Sequence, residues 1–532
     1  MPSALRRVLP CLLFAGLLAS AAADEIKVWV VLADKGPGWP PSASGASPAA
    51  RRAYENAPLH APYLKSLTAA GFAPDAGLKW QNRVSGRIAA SRVPALRALP
   101  FVAAVEAMPR RTRRLPPVPR RPWPRSLAKR AADIDYGHAG ALYDSVGISR
   151  IHRWMAGQGM APGQGMRIAI IDADFHLGNA IFAALKPRIL DQWDFAARKP
   201  QAVDDLLLDS HGAECLSLIG GNAPGTLVGG APDAAFLLYR AEIDENELYA
   251  EEDHVAAAIE RAVDSGAQVI NISLGYRYDF DSEPDIPYAE MNGRTRPATL
   301  AALGAARRNV LISAAMGNDG DAHPQESSLS TPADADSILA VGIVDPDRFR
   351  CGYSSTGPTA DGRVKPELVS LGLFPGCTVA VAYPDTAPAM AVAYSGTSFA
   401  APVAAAAAAL LRQLRPQASA EQVRQALMRT ASHADHPDNG TGYGVLDAAA
   451  AALSLGVPLG IVLVDTGRSR LFHPGGRGPV FLAWDPGSPL PRLELVDLTG
   501  RRVPVAVKRS GSVLALRPER RMPSGVYLAH IP

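Results

Sequence analysis

The chain predicts an α/β fold, a mainly parallel sheet with helices on both faces, preceded by a small α+β domain and followed by a small β-sandwich. Three observations carry this reading. Between residues 136 and 457, short apolar strands without polar alternation give way repeatedly to helical stretches, the pattern of a sheet buried on both faces. Residues 24–108 mix strand and helix patterns on the scale of one small domain. From Gly460 onward, short alternating strands are separated by turn residues, as in a β-sandwich spanning 458–532.

Composition sets the class. With 532 residues, 48% of them hydrophobic and 20% charged, the chain can bury a large core and fill several domains. A formal charge of +3 gives no reason to expect a nucleic-acid partner or a membrane surface. The basic excess is local: residues 109–130, PRRTRRLPPVPRRPWPRSLAKR, hold nine Lys or Arg, six prolines and no acid. Such a stretch cannot bury a core, and within 109–135 it reads as an exposed linker open to processing.

Residues 1–23 carry Arg6 and Arg7, an apolar run from Val8 to Leu18 and then Ala21-Ala22-Ala23. This is the pattern of a secretory signal peptide, too short in its apolar part to span a bilayer. No later run is expected to span one, so the product should be soluble and exported, secreted or at the cell surface. Cys11 lies in the leader, which leaves Cys215, Cys351 and Cys377. Three thiols make no disulfide framework, but a Cys351 to Cys377 bridge can form in an oxidising compartment.

The elements follow in order. Strands are expected at Ile26–Ala33, Leu78–Ile88 and Phe101–Val105, with helices at Ala61–Ala70 and Ser91–Leu99. The central strands are Arg167–Ile171, Ala235–Tyr239, Val269–Ile272, Val310–Ala314 and Ile338–Val341. Helices are expected at Gly212–Ile219, His254–Ser265, Pro297–Arg307, Phe399–Leu411 and Ala420–Ala431, the last opened by Ser419 and Gln422 in capping-box spacing. In the tail, GIVLVD, VFLAW, LELVDLTG, VPVAV, SVLAL and GVYLAH read as strands.

Sites in such sheets collect at the carboxyl ends of strands. Asp172 follows the strand RIAII, His211 opens a helix in DSHGAECLSLIGG, and Ser398 stands between the Gly396-Thr397 turn and an alanine-rich helix with Pro402 in its first turn. Singly, these are a strand-end turn residue, a first-turn residue and an N-cap. Together they supply a nucleophile, a base to take its proton and a carboxylate to orient the base. Asn318, in LISAAMGNDG, is either a turn residue or an amide donor to a developing oxyanion. Cys215 lies one helical turn after His211 and reads as a small core residue.

Nine segments in this order, RIAIIDADF, DSHGAECLSLIGG, GGAPDAAFLLYRAE, VINISLG, SAAMGND, STPADADSILAVG, YSSTGPTADGRVKPELVS, SGTSFAAP and GYGVLDAAAA, resemble the subtilisin family of serine proteases over residues 130–455. The resemblance implies Asp172 as orienting carboxylate, His211 as general base then acid, Ser398 as nucleophile, and Asn318 with the Ser398 amide as oxyanion hole. It implies Ser273, Leu274 and Gly275 as the strand that pairs with an extended peptide, with Met316 and Gly317 also at the substrate-binding site. Residues 24–108 resemble the family's propeptides, which act as chaperone and inhibitor, and the tail resembles a sorting domain of the type nine secretion route, whose machinery would be a partner.

The expectation is thus a secreted serine endopeptidase made as a proenzyme and acting on protein or peptide substrates, against an inactive fold of the same type serving as a surface binding module. The glycines Gly157, Gly159, Gly163 and Gly165 precede a strand rather than join strand to helix, which speaks against a nucleotide site. No HExxH-type metal motif occurs and no cofactor is implied; structural calcium, built in this family from loop carbonyls and carboxylates, has no identifiable site here. Two positions depart from the family pattern. Ala173 and Asp174 follow the aspartate where a small residue and glycine are usual, so an added carboxylate either alters the local charge balance or faces solvent. His-Gly-Thr-His becomes His211-Gly212-Ala213-Glu214, where Glu214 can stabilise the first turn of its helix.

Overall fold

Seven parallel strands form the central sheet: β5 (Arg167–Asp172), β6 (Ile189–Asp194), β7 (Ala235–Arg240), β8 (Val269–Ile272), β9 (Leu311–Ala315), β10 (Leu339–Val344) and β11 (Leu368–Leu371), in the spatial order β11-β10-β9-β8-β5-β7-β6. They are seen in a computed structural model that describes residues 25–457, apart from 41, 43–44, 109–133, 203–209, 244–247, 282, 325–326, 373–376, 383–388 and 390, together with residue 459 and strands between 468 and 530. The leader, the basic linker and the tail segment GIVLVD lie outside the described residues.

Alternate residues of β5 serve opposite faces. Ile168 and Ile170 join a core with the helices His211–Gly220 and Ala400–Leu414, while Ala169 and Ile171 join a second core with Tyr249–Asp264 and Pro297–Arg307. This double burial is why the strands lack polar alternation. From β5 the chain runs to the edge strand β6, returns to β7 beside β5, and then crosses to β8 and moves outward to β11, so the order reverses next to β5 and Asp172 ends its strand at that switch point on the sheet's carboxyl edge.

The helix Ala400–Leu414 runs through the larger core, with every residue from Ala400 to Leu411 buried. Its small side chains let it pass close to the sheet. Contrary to the sequence expectation, the stretch Thr397–Leu414 is long and apolar enough to cross a membrane, but 89% of it is enclosed by the rest of the fold. The helix Ala420–Arg429 opens with the expected Ser419–Gln422 capping box.

Sequence patterns missed the two edge strands, β6 and β11, and the antiparallel hairpin of β12 (Thr378–Ala382) and β13 (Ala391–Ser395) that delivers the chain to Ser398. The edge strand β6, ILDQWD, carries polar residues because only one side of it is paired.

The N-terminal domain is a four-stranded antiparallel sheet, β1 (Glu25–Leu32), β2 (Ala73–Leu78), β3 (Arg83–Ala89) and β4 (Val102–Ala107), in the order β2-β3-β1-β4. The single strand expected over Leu78–Ile88 is a hairpin instead, turned at Asn82, whose φ of 51° lies in the left-handed region. The domain sits on the helices Tyr249–Asp264 and Pro297–Arg307. Trp29 Nε1 donates to Asp253 at 2.8 Å, and the Glu260 carboxylate accepts the backbone N–H groups of Lys79 and Trp80 at 3.0 and 2.9 Å. Leu78 and Met108 complete the apolar core beneath. In the tail the described strands make two antiparallel sheets, one of four strands and one of three.

Candidate active site

Asp172 ends β5 fully buried, and its Oδ1 accepts the Ala173 N–H at 2.8 Å and meets His211 Nδ1 at 2.6 Å. The contact needs the first turn of the helix His211–Gly220 to lie against the strand end. Gly212 permits this: a Cβ there would come within 2.8 Å of the Asp174 carbonyl oxygen and 3.1 Å of Asp172 Cβ. Burial disfavours the imidazolium, but the Asp172 carboxylate more than offsets it and holds the His211 pKa well above the usual 6.5.

Behind the imidazole, Cys215 is fully buried, with Sγ 3.9 Å from His211 Nδ1 and 3.5 Å from the Ser398 carbonyl oxygen. Burial pushes its thiol up to about 12, so it carries no charge at neutral pH. Cys215 is therefore both core and the packing surface beneath the imidazole. Asp172, His211 and Cys215 are the one group of potential metal donors found among the described residues, within 4.8 Å of one another. They suit a resident ion poorly, because Nδ1 is committed to Asp172 and the thiol is held protonated.

Ser398 lies in a short 3-10 turn, Thr397–Phe399, immediately before the helix Ala400–Leu414. It is therefore within the turn rather than a helix cap. Its Oγ donates to the Ser273 carbonyl at 3.0 Å, and its own carbonyl accepts from Ser273 Oγ at 2.7 Å. These reciprocal bonds tie the end of β8 to the serine turn.

Thr397, which sequence reasoning did not single out, orients Asn318. The Thr397 N–H donates to Asn318 Oδ1 at 2.9 Å, and the Thr397 hydroxyl lies 3.1 Å from both Asn318 Oδ1 and the Gly317 carbonyl. Because a backbone N–H can only donate, Oδ1 must face it, so the NH₂ of the exposed Asn318 is turned away from the Thr397 N–H. Tyr353 supports the same loop: its hydroxyl donates to the Cys377 carbonyl at 3.1 Å and accepts the Gly396 N–H at 3.2 Å. Cys377 is joined to Cys351, which settles the pairing the sequence left open.

Of the other positions, Ser273 and Leu274 are buried and Gly275 is exposed as the chain leaves β8. Gly317 is half-buried, with φ +107°. Met316 is a correction: its side chain is fully enclosed in the second core and its N–H bonds the Val341 carbonyl, so it presents no side chain to the cleft.

A family model described as Subtilase family matches residues 163–444, more than half of the chain. The chain belongs to the subtilase family. It is 30% identical to subtilisin BL of Lederbergia lenta over 305 residues, 57% of this chain and 97% of the relative. It is 28% identical to Mycosin-2 of Mycobacterium tuberculosis over 294 residues, 48% of this chain but only 52% of that protein. Among solved structures, a mutant of the protease domain of PatA is 26% identical, covering 56% of this chain and 97% of that domain, with a TM-score of 0.44.

Both departures from the subtilase pattern are accommodated inside the fold. Asp174 neither faces solvent nor leaves a loose charge: it is 1% exposed and meets Arg240 Nε at 2.6 Å. Arg240 also donates to the buried Asp194 at 2.9 Å, so one guanidinium serves two carboxylates. Glu214 is buried in the first turn of its helix and accepts the Ser210 hydroxyl at 2.7 Å.

Proposed function

We propose that this subtilase is a serine endopeptidase, exported as a proenzyme and hydrolysing peptide bonds through an acyl-enzyme. The observation that carries the reading is the 2.6 Å Asp172–His211 contact, set beside a serine turn whose neighbour Thr397 fixes the amide of Asn318. On this reading those residues supply a nucleophile, an oriented base and a preorganised donor.

On this reading the hydroxyl of Ser398 leaves the Ser273 carbonyl, transfers its proton to His211 Nε2 and attacks the scissile carbonyl carbon. Asp172 keeps the Nδ1 proton in place and stabilises the imidazolium. The developing oxyanion is held by Asn318 Nδ2 and the Ser398 N–H, at the positive end of the following helix. His211 then protonates the leaving amine, and a water deprotonated by the same imidazole cleaves the ester. The vacated Ser273 carbonyl accepts an N–H of the extended substrate, so substrate binding and release of the nucleophile favour one another.

The N-terminal domain acts as the intramolecular inhibitor, docked through Asp253 and Glu260, and the basic linker is cut during maturation. The leader directs export, and the C-terminal sheets serve as an accessory or secretion-sorting domain.

The test is to express the precursor and its Ser398→Ala variant, follow chain mass with time and probe each with a fluorophosphonate. The wild type should trim itself between about residues 109 and 135 and be labelled on Ser398, and the variant should do neither. A folded wild type that stays full length and unlabelled would leave the binding-module reading in its place.

A further inference from the structure

Arg240 ends β7 level with Asp172. The two are register partners where β5 and β7 pair, and the Ala241 N–H just beyond donates to the Asp172 carbonyl at 2.9 Å, so the two strand ends are tied together. The buried Arg240 side chain spans two carboxylates, with Nε 2.6 Å from Asp174 Oδ1 and Nη1 2.9 Å from Asp194 Oδ2. Asp194 closes β6, and its Oδ1 accepts the Ala197 N–H at 2.7 Å, which fixes it from its own turn. The guanidinium fork therefore joins Asp174 to the turn that follows β6.

What Asp174 holds in turn is the first turn of the helix His211–Gly220. Its carbonyl accepts the Ala213 N–H at 3.2 Å, one of the donors that a helix cannot pair within itself. The approach is close, since a Cβ on Gly212 would lie 2.8 Å from the same carbonyl oxygen. A shift of the Asp174 peptide therefore moves the start of the helix, and with it the imidazole that meets Asp172 at 2.6 Å. The Asp174 side chain is buried, and the guanidinium is what stabilises its charged form in this position.

We propose that Arg240 is a positioning residue for the reaction: through Asp174 it sets where the His211 imidazole stands against Asp172. The proposal rests on the protease reading above, because it gives His211 the task of general base. Burial, the Asp172 carboxylate at the end of β5 and Cys215 on its own helix set the protonation of His211. Arg240 acts by fixing the imidazole relative to them. Its path runs from the turn after β6, through the guanidinium and the Asp174 carboxylate, to the Asp174 carbonyl and the Ala213 N–H.

The experiment compares matured wild type with Arg240→Met, Asp174→Ala and the double variant on one internally quenched peptide. Each is assayed at a temperature where circular dichroism shows it folded, and kcat is taken per site that a fluorophosphonate labels at completion. Lys365→Met is the control for lost stability, because Lys365 and Glu367 form a buried pair at 2.8 Å just before β11, at the far edge of the sheet. Arg240→Met and Asp174→Ala should each lower kcat roughly 10–10²-fold with KM within about twofold, as a displaced catalytic group does. The double variant should be no slower than the slower single one, because both residues act along one path. The midpoint of kcat/KM against pH should fall in both single variants, as the imidazole moves off the carboxylate that holds its pKa up against burial. In the Ser398→Ala background, the far-downfield proton resonance of His211 Nδ1–H should move upfield or vanish when either substitution is added. Should Arg240→Met fail to fold, Asp174→Ala, in which Arg240 keeps Asp194, carries the same comparison of kcat, midpoint and resonance. A kcat within about twofold of wild type, multiplicative losses in the double variant, an equal loss of kcat in Lys365→Met, or an unmoved resonance overturns the proposal and leaves the protease reading intact. A wild type that takes no label and cuts no peptide removes the protease reading, and the resonance then decides the positioning of His211 by itself.

Discussion

Arg240→Met tests whether the added carboxylate at Asp174 is carried by a buried ion pair. The Arg240, Asp174 and Asp194 side chains are 6%, 1% and 0% exposed, and the substitution keeps most of the side-chain volume while leaving two buried carboxylates without their shared guanidinium. Lys199, 42% exposed and 3.7 Å from Asp194, compensates weakly. Breaking a buried pair from one side costs about 3–5 kcal/mol. At roughly 2 °C per kcal/mol for a domain of this size, the melting temperature should fall by about 6–10 °C. Asp174→Ala should cost less, about 1.5–3 kcal/mol, because Arg240 keeps Asp194. The assay is thermal unfolding by circular dichroism at pH 8 in the Ser398→Ala background, which removes self-digestion. A melting temperature for Arg240→Met within 2 °C of its parent would refute the reasoning, as would additive effects in the double variant, since groups in direct contact should couple.

Four further outcomes are expected. Asn318→Ala should lower kcat by roughly 10²–10³ with little change in KM, a range borrowed from loss of the corresponding donor in subtilisin itself. Because His211 must be neutral to act as base and its pKa is raised above 6.5, kcat/KM should climb with pH through a midpoint above 6.5; Asp172→Asn should move that midpoint to lower pH and cut kcat roughly 10⁴-fold. Burial beneath the docked N-terminal domain, whose Lys79 and Trp80 N–H groups it accepts, raises Glu260 from its ordinary 4.5 to about 7, so docking takes up a proton. That contribution is complete below 4.5 and is lost as pH rises through 7; release of the cleaved domain should quicken over that window, and Glu260→Gln should flatten the response. Cys351→Ser opens a loop of 26 residues and should cost about 3.5 kcal/mol of stability on a chain-entropy basis, read as the shift in a urea midpoint.

What the sequence made legible follows from how far apart the interacting residues are. The strand Val269–Ile272 and the helix Pro297–Arg307 have the expected bounds, because a β-branched run broken only by Asn271 and a proline at the first helical position are local signals. The edge strand β6 was missed because it is polar, and β11, LVSL, because it follows directly on Lys365-Pro366-Glu367, a stretch that reads locally as loop. At the site, Asp172, His211 and Ser398 could be picked out from their order and their neighbours. The Asn318 clamp could not, since its partner Thr397 is 79 positions away and reads locally as a turn residue. The same holds for Arg240, 66 positions beyond Asp174, whose role appears only when β5 and β7 lie side by side. Met316 misled for the opposite reason: its position in the chain is next to the cleft, but its side chain points into the core.

The alanine run behind Ser398 has a consequence beyond catalysis. A methyl group has no rotamers, so packing the helix Ala400–Leu414 costs almost no side-chain entropy, and the mount beneath the serine turn has few internal ways to loosen. The same segment, unfolded, has a mean hydropathy of 1.2 over Thr397–Leu414 and a single charge, Arg412. On the export proposed above, the unfolded chain has to carry this stretch past the lipid without its partitioning sideways. Leucine in place of the alanines would strengthen that escape, since each adds apolar surface that lipid rewards. Alanine is thus apolar enough for a protein core while adding less to the segment's affinity for lipid than leucine in the same places would.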